Sequence, residues 1–254
     1  MTRLRFPERV ATDGSEVLTT GGNQLTFAMA GDDTLYARVG SVYNFMAGGE
    51  GDDTYVAASN SIINILDTSG DDTLRATGIG IDRPETAIAT VADGQHVIVA
   101  DPQTGQQVTV ANWSEPGSTI ETFEFADGTL SFDQFSNKVF EAPGFIGDVT
   151  ADDLVREQLL PAGTTSSDLA EFVDYIETRE STLAQTQTTL AQAGVDLETA
   201  ERYILERLDA PDQIYAAADT AGLSAEMVAG LVGVQSQQVV DYFADAGLDA
   251  AALG

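Results

Sequence analysis

The chain has 254 residues, room for one large or two ordinary domains, and no cysteine, which rules out both a disulfide framework and a thiol catalyst. It carries 41 acidic residues against 11 basic ones, a formal charge of −30, spread evenly along its length. Such a surface excludes recognition of a nucleic-acid backbone, which Lys and Arg must neutralise, and disfavours compaction until cations bind.

Residues 1–20 have basic residues but no apolar h-region, and no stretch is long enough to span a bilayer. The sequence gives this N-terminal segment no clear pattern. From Gly21 onward Gln24-Leu25-Thr26-Phe27-Ala28-Met29 alternates as a first strand. One phrase then comes three times, Gly-Asp-Asp-Thr followed by Leu or Tyr, at Gly31, Gly51 and Gly70. Steps of 20 and 19 residues signal stacked coils, each strand lying about 4.8 Å above the last. Val42–Met46 and Ile62–Leu66 are apolar strands in comparable places before the second and third turns.

Stacking puts Asp33, Asp53 and Asp72 in one column, where neighbouring carboxylates repel by roughly 3.5 kcal/mol at an effective dielectric of about 20. No Lys or Arg falls inside the turns, so a cation is expected between them. Carboxylates joined by carbonyls of tight glycine turns form the hard oxygen cage that Ca²⁺ prefers. The expected metal residues are Gly31, Asp32, Asp33, Gly49, Gly51, Asp52, Asp53, Gly70, Asp71 and Asp72.

Gly48-Gly49-Glu50-Gly51-Asp52-Asp53-Thr54-Tyr55-Val56 resembles the nonapeptide GGxGxDxUx of the RTX, or haemolysin-type, calcium-binding proteins, with Tyr55 in the apolar slot. The other copies replace the leading glycines with Ala28-Met29-Ala30 and Asp67-Thr68-Ser69. The resemblance implies a short parallel β-roll, or β-solenoid, holding Ca²⁺ between coils. The opposite half-coils, Val39–Tyr43 and Ser59–Ile63, lack carboxylates, so two to three ions are expected, on one edge only. The resemblance also implies export to the extracellular space by a type I-like route that needs no N-terminal signal peptide.

After a break at Gly78, Gly80 and Pro84, residues 86–136 read as antiparallel strands. Thr86–Val91 and His96–Ala100 are joined by an Asp93-Gly94 turn, Gln107–Trp113 follows, and Ile120–Phe125 pairs with Thr129–Phe132 through Ala126-Asp127-Gly128. VTVANW and IETFEFADGTL resemble the cap that often follows RTX repeats, with Trp113, Phe123, Phe125 and Phe132 closing the roll. His96 is the only histidine and reads as structural.

Residues 141–149, containing Pro143-Gly144, read as a linker, and 150–254 as an all-α domain, so that β and α parts form separate domains either side of it. Thr150 and Asp153 make a capping box for a helix running through Leu160 to Pro161 and Gly163. Ser166 or Ser167 caps a second helix with Leu169, Phe172, Val173, Ile176, Leu183 and Leu190 on one face. Ala193-Gly194-Val195-Asp196, Ala221-Gly222-Leu223-Ser224 and Ala246-Gly247-Leu248-Asp249 share a corner form, in which Gly ends one helix and Asp or Ser caps the next.

There is no H-E-x-x-H, no G-x-S-x-G and no Cys/His pair, and an enzyme is not expected. A helix-turn-helix reading of Leu223–Leu248 fails because Arg207 is the sole basic residue from Tyr203 to Gly254. The reading is a secreted calcium-binding structural or adhesive protein whose helical domain serves self-assembly or contacts a cell-surface or matrix partner. Its alternative is the non-catalytic C-terminal region of a secreted enzyme, glycan-active at best.

Overall fold

The computed structural model describes residues 7–156, 165–234 and 236–253. The chain packs as two units, Met1–Ile176 and Glu177–Gly254.

In the first unit eight short strands follow one another: β1 (Glu8–Val10), β2 (Val17–Thr20), β3 (Gln24–Phe27), β4 (Thr34–Ala37), β5 (Asn44–Ala47), β6 (Thr54–Val56), β7 (Ile62–Leu66) and β8 (Thr73–Ala76). Odd strands enter one sheet and even strands the other, and every pairing among the eight is parallel. Residues 1–20 are therefore not a separate segment, since β1 and β2 lie within it and join both sheets. The phrase extends there in weakened form: Gly14-Ser15-Glu16-Val17-Leu18 falls in register with Gly31-Asp32-Asp33-Thr34-Leu35. Alternation along each strand sends Leu18, Leu35, Tyr55 and Leu74 of the second sheet and Met46, Ile63 and Ile65 of the first into one core.

Three antiparallel strands extend the first sheet as expected: β9 (Ala87–Val91), β10 (His96–Asp101) and β11 (Gln106–Val110), with β11 parallel to β7. β12 (Thr122–Phe125) lies parallel to β8 and forms the expected hairpin with β13 (Gly128–Ser131). The last strand does not reach Phe132. Ser131 accepts a hydrogen bond from the backbone of Gln134 while the Gln134 side chain accepts one from the Ser131 N–H, and this capping box starts α1 (Phe132–Glu141). α1 adds Phe135 to the expected aromatic group, stacked on Phe123 at 3.9 Å between centroids and edge-on to Trp113 at 5.8 Å.

Residues 141–149 are not a linker. β14 (Phe145–Val149) pairs with β9, and Gly144 permits the approach, since a Cβ there would stand 1.7 Å from the Thr86 carbonyl oxygen. Nor do the helices begin a body of their own at residue 150. The expected box is present, Thr150 N–H donating to Asp153 Oδ2 (2.9 Å) and Asp153 N–H to Thr150 Oγ1 (3.2 Å), and it starts α2 (Ala151–Arg156). The stop at Pro161 and Gly163 and the Leu169 side chain lie outside the described residues. The division between units falls inside α3 (Ser166–Gln192). Before it, Phe172 stands edge-on to Phe45 at 4.4 Å.

In the second unit α4 (Leu197–Leu205), α5 (Pro211–Ala221), α6 (Ala225–Leu231) and α7 (Ser236–Asp245) surround a core that includes Leu190, Ile214, Leu223, Val228 and Phe243. All three expected corners form. Gly194, Gly222 and Gly247 take left-handed φ of 73°, 73° and 76°. Val195, Leu223 and Leu248 N–H donate back to Leu190, Ala218 and Phe243 carbonyls, and Asp196, Ser224 and Asp249 cap the next helices. A fourth corner lies at Gly233 (φ 65°), with Val234 N–H donating to Ala229. Gly222 meets nothing closer than Thr189 Cγ2 at 3.8 Å, so Gly222→Ala adds only left-handed strain. Its expected cost is about 1 kcal/mol in denaturant titration; a loss of about 3 kcal/mol would show that the corner is tighter than this.

Candidate metal centre

The three turns stack closer than side chains allow. At Gly31, Gly51 and Gly70 φ is +108°, +126° and +147°. A Cβ on Gly51 would lie 2.5 Å from the Gly31 carbonyl oxygen, and one on Gly70 only 2.0 Å from that of Gly51. These glycines let turn rest on turn. The Gly49 carbonyl accepts from Ser69 N–H (3.2 Å) and Thr68 Oγ1 (3.1 Å).

This stacking separates the expected aspartates into two rows. Asp32, Asp52 and Asp71 form an exposed outer row, in which Asp32 Oδ1 accepts from Asp52 N–H and Asp52 Oδ1 from Asp71 N–H, both at 3.0 Å. Asp33, Asp53 and Asp72 form an inner row exposed by no more than 1%. It runs the opposite way. Each inner carboxylate accepts from the turn before it: Asp33 from Glu16 N–H (2.7 Å), Asp53 from Asp33 N–H (2.8 Å), Asp72 from Asp53 N–H (2.7 Å) and Glu121 from Asp72 N–H (2.8 Å). Backbone N–H groups thus stand where the sequence alone calls for positive charge, and they offset part of the repulsion along the column.

They satisfy one oxygen of each carboxylate. Oδ2 of Asp33, Asp53 and Asp72 is buried and accepts no hydrogen bond among the described residues, and the same holds for Asp67, at the end of β7. Asp53, Asp67 and Asp72 bring carboxylate oxygens within 4.8 Å of one another. The Tyr55 hydroxyl donates to Asp67 Oδ1 at 2.5 Å. Gly48 makes room for this convergence, because a Cβ there would stand 2.0 Å from Tyr55 Oη, 2.1 Å from Asp53 Oδ2 and 2.7 Å from Asp67 Oδ1.

The electrostatic cost is visible in the acidities. Burial, against the Glu16 N–H bond that lowers it, leaves the Asp33 carboxyl pushed up to about 6. Burial, opposed by the Asp33 N–H and reinforced by the Asp72 and Asp33 charges, raises Asp53 to about 7. Asp67 rises to about 10, chiefly by burial and then by the Asp72 carboxyl beside it, itself raised by burial. With all of them ionised the facing oxygens lack partners; a proton between Asp67 and Asp72, or a cation, satisfies them.

Of the ten expected residues, only Asp53 and Asp72 meet in the three-carboxylate cluster; Asp33 lies one turn away, the outer aspartates lie at the surface and the glycines set the stacking. Gly48, Tyr55, Asp67, Glu16 and Glu121 were missed. For Glu121 a signal existed: Glu121-Thr122-Phe123 repeats the acid-Thr-apolar pattern of Asp33-Thr34-Leu35, and Thr122 pairs with Thr73. The opposite edge is closed without carboxylates, Ser41 and Ser61 hydroxyls donating to the Arg38 and Ala58 carbonyls. His96 is buried, its Nδ1 accepting from Asn112 N–H at 3.1 Å, and burial lowers its pKa.

Residues 96–130, from β10 to β13, match the family described as the haemolysin-type calcium binding protein related domain. The match is consistent with the RTX resemblance and suggests calcium binding, although it covers the strands after the turns rather than the turns themselves. No curated protein matches the chain. No helix among the described residues is long and apolar enough to cross a membrane.

Proposed function

We propose that this is a non-enzymatic calcium-binding protein that works outside the cell, whose turn-stacked strands form a β-roll that folds fully only when Ca²⁺ is bound. The observation that carries the reading is the row of buried carboxylate oxygens on Asp33, Asp53, Asp67 and Asp72 that have no partner among the described residues. A hard cation with oxygen ligands is the natural complement to such a row. The family match at residues 96–130 supports the same chemistry. Low calcium inside a cell keeps the acidic chain expanded, and millimolar calcium outside closes it. A structural or adhesive role follows from this switch, with the helical unit free to contact copies of itself or a surface partner.

Circular dichroism beside size-exclusion chromatography tests the reading. Calcium at millimolar concentration is expected to add strand signal and reduce the hydrodynamic radius, and EDTA to reverse both while the helical signal of residues 177–253 largely persists. Identical spectra and radii with and without calcium would sink the proposal.

A further inference from the structure

We propose that one calcium-sized divalent cation is held at a buried centre that the repeat phrase alone does not complete, with Asp53, Asp67 and Asp72 as its carboxylate ligands and Tyr55 and Gly48 shaping the space. This rests on the calcium reading above and sharpens it to one ion in one gap, held by a residue outside the Gly-Asp-Asp turns.

Asp67 occupies the place that Gly48 holds in the middle copy. It comes off the end of β7, in the first sheet, whereas Asp53 and Asp72 lead into β6 and β8 of the second, so the carboxylates converge from both sheets. Each has one oxygen held by the protein: Asp53 Oδ1 by Asp33 N–H, Asp72 Oδ1 by Asp53 N–H and Asp67 Oδ1 by the Tyr55 hydroxyl. In each the other oxygen has no partner among the described residues, and all three side chains are exposed by no more than 1%. Two ligands on opposite sides of Ca²⁺, each about 2.4 Å from it, stand about 4.8 Å apart. The cluster's oxygens lie within 4.8 Å of one another. Mg²⁺ suits the centre less, because it keeps several waters and this space is closed.

The neighbouring gap, between Asp33 and Asp53, lacks the additional parts. Gly48 stands there at the place of Asp67, and Leu35 at the place of Tyr55, with which it pairs across β4 and β6. A third carboxylate and a hydroxyl are therefore specific to the gap between the second and third turns. Burial also fixes the kinetics: the ion leaves only when the 67–72 turn opens, so release is slow beside that from an exposed turn.

Calcium stoichiometry and chelator-driven release, with Tb³⁺ as a luminescent stand-in that Tyr55 sensitises, test this on the full chain. The wild type is expected to bind one tight ion and to show sensitised emission that calcium displaces. Asp67→Asn and Asp67→Gly, the second restoring the residue found in the middle copy, are expected to weaken that ion at least about tenfold and to speed its release, since fewer ligand charges lower affinity. Asp93→Asn, exposed in the turn between β9 and β10, should leave it within about twofold, and Tyr55→Phe should remove the emission. Folded Asp67 variants that bind like the wild type, or an Asp93→Asn loss as large as theirs, would overturn this centre and leave the calcium reading standing. A wild type that binds no calcium at millimolar concentration would remove both.

Discussion

The metal-free protein is expected to lose stability as pH rises from about 5 to about 8, and calcium to abolish that loss. The direction follows from the inner carboxylates. Burial raises Asp33 to about 6, Asp53 to about 7 and Asp67 to about 10, against 3.8 for an ordinary Asp, so across this range the folded chain holds protons that the unfolded chain has released. A raised native pKa contributes stability that is complete below the unfolded value and disappears as pH climbs through the folded one. Each extra native proton costs about 1.4 kcal/mol per pH unit, so Asp67 alone, discounted by half for relaxation and solvent, removes about 2 kcal/mol over three units. All the inner groups together should lower the melting temperature on the order of 10 °C. His96 acts the other way, since burial lowers its pKa and its stabilisation is lost as pH falls, but it is one group against several. Calcium-bound carboxylates are already ionised, so the slope flattens and binding releases protons. Thermal melts in EDTA and in millimolar calcium at about pH 5.5 and about pH 8 decide it. A metal-free melting temperature that rises with pH, or equal slopes in both conditions, would contradict the assignment of the inner row.

What could be read from the sequence was what short-range rules govern. The corners at Gly194, Gly222 and Gly247 are closed by bonds spanning six residues and by caps adjacent in sequence, so Ala-Gly-x-Asp or Ser carries all of its own information. The antiparallel strands β9 to β11 are set by turns of the same range. The two carboxylate rows were legible as one column because the repeat step aligns the turns, but not as two rows of opposite hydrogen-bond direction, which depends on how each turn tilts. Asp67 was hidden by looking like a damaged glycine position, and its meaning comes only from Tyr55, twelve residues back and in the other sheet. Glu121 closes the row 49 residues after Asp72, across four intervening strands. The boundary at 141–149 was misplaced because Pro143-Gly144 reads locally as punctuation, whereas Gly144 is there to let β14 approach Thr86.

Gly70→Ala is expected to be among the most damaging single-methyl changes in the first unit, and the damage separates stacking from metal binding. Its φ of +147° is one that side-chain-bearing residues rarely adopt, a strain of about 1–3 kcal/mol. The added carbon also meets backbone, at 2.0 Å from the Gly51 carbonyl oxygen and 2.8 Å from its carbon, which cannot move without parting β6 from β8. Overpacking of that kind adds about 1–3 kcal/mol. The sum, about 2–6 kcal/mol, is a large share of a typical domain's stability. Gly94→Ala provides the comparison: its φ is +88° and nothing lies within 4 Å of the new carbon, so only the strain of about 1 kcal/mol remains. Both variants are measured by denaturant titration in EDTA at about pH 5.5, where protons on the inner carboxyls stand in for the ion and the metal-free roll is at its most stable, and again in calcium. Stacking predicts that Gly70→Ala loses most of its stability already in EDTA and that calcium recovers little of it. If the two variants lose the same amount in EDTA and differ only in calcium, the glycine column serves the ion rather than the approach of one turn to the next.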